Sequence, residues 1–480
     1  MRARRALASG RWDRSPGRGR WQRTTARGLW RRPAVGRAGR PVELEAQSLP
    51  AWPFVAAFGS YIIWWFVGIG DMIWPIMAAV MLVLMVRRRG LRFPRGWAIW
   101  AFFLLWATIS IVECDTAGRA LGALYRLAML FAATVFAFYV YNARSTITLR
   151  TVGSAMSLFL LSAVLGGLLA MIAPELQIST PLSHVLPGAL TSNSFVHELV
   201  YRSTTQWIEN SWVQTDPRPS APFVYANTWG NVFSLVFPIV LVHTVQLWRE
   251  YSPRRWPVTI LAVGSLIPAA ATQNRGMLVG LAVIALWVGV QQARTGRTRQ
   301  VLAGFVVAMT AVLVWVVSPM GRSLFSRVQT STSTEDRLIN YLETVNTLRE
   351  SPLLGFGAPR PSTASWLPSL GTQGQFWTVL FSHGVVGAIL FMATFVAAAV
   401  YAWRSTDTYG AVLGGIAVAT FVESFYYGMT TGLMVSLVAV ALLVRQRETG
   451  ETTGPLRGQV STSDRRGRSR WRVSRSHRDS

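Results

Sequence analysis

Lysine is missing altogether, so the 47 basic residues are all arginine. Cysteine is nearly missing too. Cys114 stands alone, which excludes an internal disulfide, a cysteine-rich zinc site and a dithiol redox pair. Charge of either sign is scarce: charged residues make up 14% of the 480, where a soluble chain carries about a quarter. No Walker A sequence, Rossmann glycine pattern, HExxH or GxSxG context occurs, so the sequence offers no signature of nucleotide binding, zinc proteolysis or α/β-hydrolase chemistry. No metal site or cofactor is expected.

What the chain does have is apolar residues, 51% of the total, in long blocks. Blocks of about 17–25 apolar residues match the thickness of a bilayer's hydrocarbon layer, and a helix satisfies its own backbone there. The blocks run over 51–68, 71–86, 97–113, 121–141, 153–173, 228–247, 257–273, 276–291, 301–317, 376–402, 409–424 and 430–444. The first two meet at Gly68, Gly70 and Asp71, as a tight hairpin or one broken element. The expectation is an all-α, polytopic transmembrane bundle of about twelve helices.

The net charge of +26 sits largely at the two ends, with thirteen Arg against one Asp in residues 1–40. Residues 1–49 and 447–480 read as disordered, basic cytoplasmic tails flanking a membrane domain over 50–446. Such tails attract anionic lipid; nothing organises their charges for nucleic acid. The uniform use of arginine reads as codon choice in a GC-rich genome. Alternate short connections carry Arg87, Arg88, Arg89, Arg92 and Arg95, then Arg144 and Arg150, Arg249, Arg254 and Arg255, Arg294, Arg297 and Arg299, Arg404, and Arg445 and Arg447. The positive-inside rule makes these connections cytoplasmic, with both termini inside. The other face then holds Arg119, Arg275 and two long loops, 174–227 and 318–375.

In the second long loop Leu338, Tyr341, Leu342, Val345 and Leu348 recur at helical spacing. Thr330 to Thr334 precede them as a candidate cap and Pro352 ends the run, so an amphipathic helix at the membrane surface is predicted. Arg275, in Thr272-Gln273-Asn274-Arg275-Gly276, is an interfacial cation that meets either lipid phosphate or a phosphate of a membrane-bound substrate. Arg126, inside the fourth block, allows the same two readings. Arg337 stands at a helix N-terminus, where the macrodipole disfavours a cation. It is either paired with Glu335 and Asp336 or part of an anion site. Glu423 beside Tyr426 and Tyr427, and His383 in Phe381-Ser382-His383-Gly384, are polar groups within or near apolar blocks. His197, Glu198, Glu209, Asp216 and Asp115 are polar residues of the outer face with no spacing that singles one out.

Four motifs, in order, resemble the O-antigen ligase and polymerase-like membrane family. Arg337-Leu338-Ile339-Asn340-Tyr341, running on to Ser351-Pro352-Leu353-Leu354-Gly355-Phe356-Gly357, is similar to that family's Arg-led helix and P-L-L-G-x-G turn. Arg218-Pro219-Ser220-Ala221-Pro222-Phe223 with Asn227 looks like its R-x-x-G-x-F…N segment. Asn274-Arg275-Gly276 looks like its S-R-G element. Gln373-Gly374-Gln375-Phe376-Trp377, followed by Gly384 and Gly387, is similar to its H-N…G-x-x-G helix start. The similarity spans about 51–445, with the specific motifs between 218 and 390.

The resemblance implies an enzyme at the outer face of the cytoplasmic membrane. Such an enzyme transfers glycan from a polyprenyl-diphosphate carrier to an acceptor saccharide or glycolipid. Arg275 and Arg337 would hold the diphosphate leaving group, with Gln373 and His383 as further catalytic candidates. Arg218, Asn227, Tyr341 and Gln375 would bind substrate. Two departures stand out. The family often has His where Gln373 stands, and glutamine cannot take a proton near neutral pH, so Gln375, His383, His197 or an outer carboxylate replaces it, or the acceptor differs. Arg218–Phe223 also lacks the family's Gly. The competing reading is a transporter or flippase of a polyprenyl-linked glycan, which should show paired halves with broken helices near the midplane.

Overall fold

The computed structural model describes residues 48–449 apart from 89, 193, 207–216, 300–303, 305–332 and 365. The chain is mostly helical, and six of its described helices are long and apolar enough to cross a membrane by length and composition. In chain order the principal helices begin with α1 Trp52–Gly59, α2 Tyr61–Val67, α3 Ile73–Val86 and α4 Ala98–Ile109. Next come α5 Ala117–Asn142, α6 Leu149–Ile172 and α7 Ala226–Arg249. They continue with α8 Arg255–Gly264, α9 Leu266–Ala271, α10 Arg275–Arg294 and α11 Ser333–Leu348. The last three are α12 Gln375–Ala402, α13 Thr408–Glu423 and α14 Thr430–Thr449. The six long spans are α5, α6, α7, α10, α12 and α14. Every apolar block coincides with helix except the ninth, 301–317, of which residue 304 alone is described. This is an integral membrane protein.

Several helix starts are written in the sequence. Thr116, Thr148, Asn274 and Asp407 each accept a hydrogen bond from a first-turn N–H, satisfying a donor that the helix itself cannot. The first apolar block is two helices broken at Ser60. Gly68, at φ +100°, closes α2 in the left-handed conformation and lets α3 fold back, so Trp74 packs on Phe58 and Tyr61. The first two blocks are therefore a tight hairpin. The seventh block also breaks, at Ser265. Pro268 has no N–H for the Gly264 carbonyl and its ring crowds that oxygen, which ends α8 there.

The helix α14 is the centre of the bundle, with 89% of its apolar window buried. It packs on α5, α13 and α7, while α10 and α12 flank α13. Arginines gather at one end. There Arg88 donates to the Asn142 carbonyl, Arg445 to the carbonyls of Val140 and Ile147, and Arg294 to that of Trp403. Asp407 accepts from Gln446 at the same end. The opposite end carries the described residues of 173–225 and 333–374. The first of these has two antiparallel strand pairs, β1 Gln177–Ser179 with β2 Tyr201–Ser203 and β3 Thr205–Gln206 with β4 Arg218–Pro219.

The predicted amphipathic helix is α11, but its packing face takes in only part of the apolar stripe. Asn340, Thr344 and Leu348 are buried, whereas Leu338, Leu342 and Val345 are exposed. The inward Asn340 is accommodated because its amide donates to the Pro368 carbonyl at 2.7 Å. An exposed apolar stripe suits a helix lying along a membrane surface. Thr330 to Thr332 of the predicted cap lie outside the described residues, as do Glu209 and Asp216.

One helix is discontinuous inside its span. At Gly384 of α12 the backbone leaves helical geometry, with φ 68° and ψ −174°. Such a break frees carbonyls and an N–H that hydrocarbon cannot satisfy. The turn after α11 fills it. Phe356 and Gly357 donate their N–H groups to the carbonyls of Phe381 and Ser382, both at 2.9 Å, and Val385 N–H donates to the Pro352 carbonyl at 2.8 Å. The Trp106 indole of α4 donates to the His383 carbonyl at 2.9 Å. A side chain at Gly384 would strike the Leu353 carbonyl, and one at Gly355 would sit 2.5 Å from the Phe381 oxygen. The Pro-Leu-Leu-Gly-Phe-Gly motif is therefore a backbone splice.

Candidate functional site

The turn between α13 and α14, Ser424–Met429, organises the end of the bundle opposite the arginine-rich one. On one side it meets the start of α10. The side-chain oxygen of Asn274 caps that helix at Met277 N–H and accepts from the Tyr427 hydroxyl, while its amide donates to the Ala226 carbonyl at the start of α7. Tyr426 donates its hydroxyl to the Gly276 carbonyl at 3.2 Å. A β-carbon on Gly276 would lie 2.6 Å from the Tyr426 ring and 2.7 Å from the Tyr427 oxygen, so glycine is required for this approach. Arg275, between these anchored residues, is exposed at the first position of α10. Among the described residues it has no ion-pair partner. Arg218 of β4 donates to the Thr272 carbonyl at 2.9 Å, so it abuts the same turn. Burial pushes the Tyr427 hydroxyl well above its ordinary range, Glu423 adds to this, and the nearby Arg218 acts against it.

On its other side the Ser424–Met429 turn meets α12 and α11. The first N–H groups of α12, which a helix leaves without partners, donate to this turn: Gln375 to the Tyr427 carbonyl at 2.6 Å and Phe376 to that of Ser424 at 2.8 Å. The Gln375 side chain accepts from Met429 N–H at 3.1 Å. The Tyr341 ring of α11 stacks on Trp377 at 4.1 Å, and its hydroxyl donates to the carbonyls of Gln373 at 3.1 Å and Phe425 at 3.3 Å. Burial raises the Tyr341 hydroxyl above its ordinary value, and the charge of Arg337, one helical turn back, acts against this.

Residues 260–392 match the sequence model of the O-antigen ligase family. No curated protein matches the chain. The match begins in α8 and ends in α12, so Arg275, Arg337, Tyr341, Gln373, Gln375 and His383 lie inside it, while Arg218 and Asn227 lie before it. The O-antigen ligase match supports a glycan-ligating or glycan-polymerising function in the membrane, with a lipid-linked glycan donor and an acceptor in general terms.

The predicted residues separate into groups. Tyr341 and Gln375 contact the Ser424–Met429 turn directly, Gln373 is joined to it through the Tyr341 hydroxyl, Arg275 lies between two residues bonded to it, Arg218 reaches the Thr272 carbonyl, and Arg337 is one helical turn before Tyr341. Asn227 is half-buried at the start of α7. His383 sits apart, in the break of α12, 8% exposed, with its Nδ1 2.5 Å from the Ser110 hydroxyl. His197 stacks on Tyr201, and Glu198 accepts from the Tyr225 hydroxyl. Glu423 is fully buried and accepts from the Asn231 amide at 2.5 Å. Among the described residues no three His, Cys, Asp or Glu side chains converge.

Sequence reasoning gave Arg119 no role. Its guanidinium donates to the carbonyls of Phe356, Ala358 and Pro359 at 2.7, 2.6 and 3.1 Å and pairs with Asp115. Asp115 also pairs with Arg360, whose guanidinium covers the Phe356 ring. Arg119 thus pins the far side of the spliced turn. The signal available was an Arg four residues after an Asp at a helix start; its carbonyl partners, some 240 residues away, leave no trace in local pattern.

Proposed function

We propose that this protein transfers or polymerises glycan from a polyprenyl-diphosphate carrier onto an acceptor saccharide at the outer face of the cytoplasmic membrane. The arginine-rich end of the bundle then faces the cytoplasm, by the positive-inside rule, and the twelve apolar blocks are twelve crossings. The observation that carries the reading is the shared turn. Asn274, which precedes Arg275, and Tyr341, one helical turn after Arg337, are both hydrogen-bonded to residues of Ser424–Met429. This arrangement supports a shared role for the two arginines, which are far apart in sequence.

In the proposed reaction an acceptor hydroxyl oxygen bonds to the anomeric carbon as the bond from that carbon to the diphosphate oxygen breaks. The electron pair leaves with the diphosphate, and the hydroxyl proton passes to water. Charge grows on the leaving oxygen, and fixed cations in a water-poor site stabilise such a change most. Arg275 and Arg337 take this role, and Arg218, which donates to the Thr272 carbonyl, binds substrate. Gln373 orients the acceptor by hydrogen bonding, and Asn227 and Gln375 border the substrate region.

The broken α12 favours a transporter on first inspection, because discontinuous helices build transporter sites. Here, however, the freed backbone groups are taken by Phe356, Gly357, Pro352 and Trp106, leaving them no role in binding a substrate. The deciding experiment uses purified protein in lipid with a polyprenyl-diphosphate glycan and candidate acceptors. Transfer that disappears in Arg275→Ala and Arg337→Ala supports the proposal. Movement of the carrier across the bilayer with no new glycosidic bond would replace it with a flippase.

A further inference from the structure

We infer that Tyr426 and Tyr427 are positioning residues that aim Arg275, an inference that rests on the diphosphate-binding role proposed for that arginine. The reasoning begins with what Arg275 lacks. Its guanidinium is exposed and has no ion-pair partner among the described residues, so what the fold fixes is the place from which it reaches, the main chain from Asn274 to Gly276. That backbone is held from outside α10. Tyr427 donates to the capping oxygen of Asn274, and Tyr426 donates to the Gly276 carbonyl at 3.2 Å, one phenol on each side of Arg275.

The two rings are themselves fixed. The main-chain N–H groups of Tyr426 and Tyr427 both donate to the Glu423 carbonyl, at 3.1 and 2.8 Å, and the Tyr427 carbonyl accepts from Gln375. The Glu423 side chain is tied to Asn231 of α7. Tyr427 is 2% exposed, and the close approach of both rings is possible because residues 230 and 276 are glycines. A cation that grips a leaving group must keep its place through the reaction, and groups whose own orientation is locked supply that precision. The tyrosines touch no reacting atom; they act through Arg275.

A double-mutant cycle tests this, because coupling separates action through Arg275 from general packing. Full-length protein in nanodiscs is titrated with farnesyl diphosphate as the probe, and glycan transfer is followed in parallel. Arg275→Ala should weaken diphosphate binding about tenfold, the scale of one charged hydrogen bond. Tyr427→Phe, which keeps the ring and removes only the hydroxyl, should weaken it several-fold and lower kcat with the acceptor KM unchanged. Tyr427→Phe combined with Arg275→Ala should bind no more weakly than Arg275→Ala alone. Tyr426→Phe should behave in the same way, which guards against a folding defect particular to one variant. Independent, multiplicative losses in the double variants would overturn the positioning role while leaving the transferase proposal standing. Unchanged binding in Arg275→Ala itself would remove the diphosphate role, and with it the reason to aim that arginine.

Discussion

The ring of Tyr341 lies parallel to that of Trp377, with centroids 4.1 Å apart and planes 12° apart, and its hydroxyl bridges the carbonyls of Gln373 and Phe425. One side chain thus joins the surface helix α11, the loop before α12 and the turn between α13 and α14. Tyr341→Phe keeps the stack and loses a hydrogen bond worth about 0.5–1.5 kcal/mol. It should retain most transfer activity. Tyr341→Ala removes both contacts and should reduce transfer at least tenfold, with faster amide exchange across residues 337–348. Equal activity in the two variants would show that the stack does not hold Arg337 in place.

The splice at Gly384 predicts a contrast between two glycines. Gly384 and Gly96 both have positive φ, 68° and 82°, but an added β-carbon strikes the Leu353 carbonyl at the first and meets nothing within 4 Å at the second. Gly96→Ala should therefore cost only the left-handed penalty, about 1–2 kcal/mol. Gly384→Ala should cost more, because it also expels the Pro352–Gly357 turn. Thermal unfolding in detergent or nanodiscs would rank them, and a Gly384→Ala midpoint equal to that of Gly96→Ala would contradict the splice.

Asp115 supplies a pH dependence. Its hydrogen bond from Arg119 holds the carboxyl below its ordinary value against some desolvation, with the charges of Arg119 and Arg360 adding to the effect. A carboxylate lowered in the folded state contributes stability above its unfolded value, about 3.9, and loses it as pH falls through the folded value. Amide protection at residues 356–360, exchange corrected for its intrinsic pH dependence, should therefore stay flat from about pH 8 to pH 5 and fall only below about pH 4. Asp115→Asn should show the lower protection throughout the neutral range, without that acid-dependent fall, and the two proteins should converge at the lowest pH.

The Gln373 position can be tested by restoring what the resemblance leads one to expect. Tyr341 is held by the main-chain carbonyl of Gln373, so the side chain is free to change without loosening α11. Gln373→His should fold normally. If this side chain faces the acceptor, transfer should acquire a pH dependence that rises through about pH 6.5, as the imidazole becomes a neutral base. A flat profile identical to that of the parent protein would remove residue 373 from the acceptor's surroundings.

Much of the frame is legible because hydrocarbon imposes it. Apolar blocks and alternating arginine-bearing connections survive as helices and as a charged end. The Asn274-Arg275-Gly276 motif is also readable in physical terms, as a cap, an exposed cation and a close approach. The less legible parts depend on distant main-chain partners. Nothing near His383 reveals that its helix is cut beside it and that Ser110 holds its ring. The stripe of α11 was readable, but the polar part of its inward face was not, because Asn340 is accommodated by the Pro368 carbonyl. Gln375 looks like a substrate ligand in sequence, yet its side chain serves Met429. Tyr426 and Tyr427 stood in view beside Glu423 without any spacing to link them to Arg275.

The break in α12 also constrains how the machine can move. Unlatching the Pro352–Gly357 turn would strand two carbonyl oxygens and an amide where water is scarce, at several kcal/mol for each group left bare. The segment behind α11 is therefore an anvil rather than a lid. Opening and closing during turnover must come from parts of the molecule that can shift without undressing a severed helix.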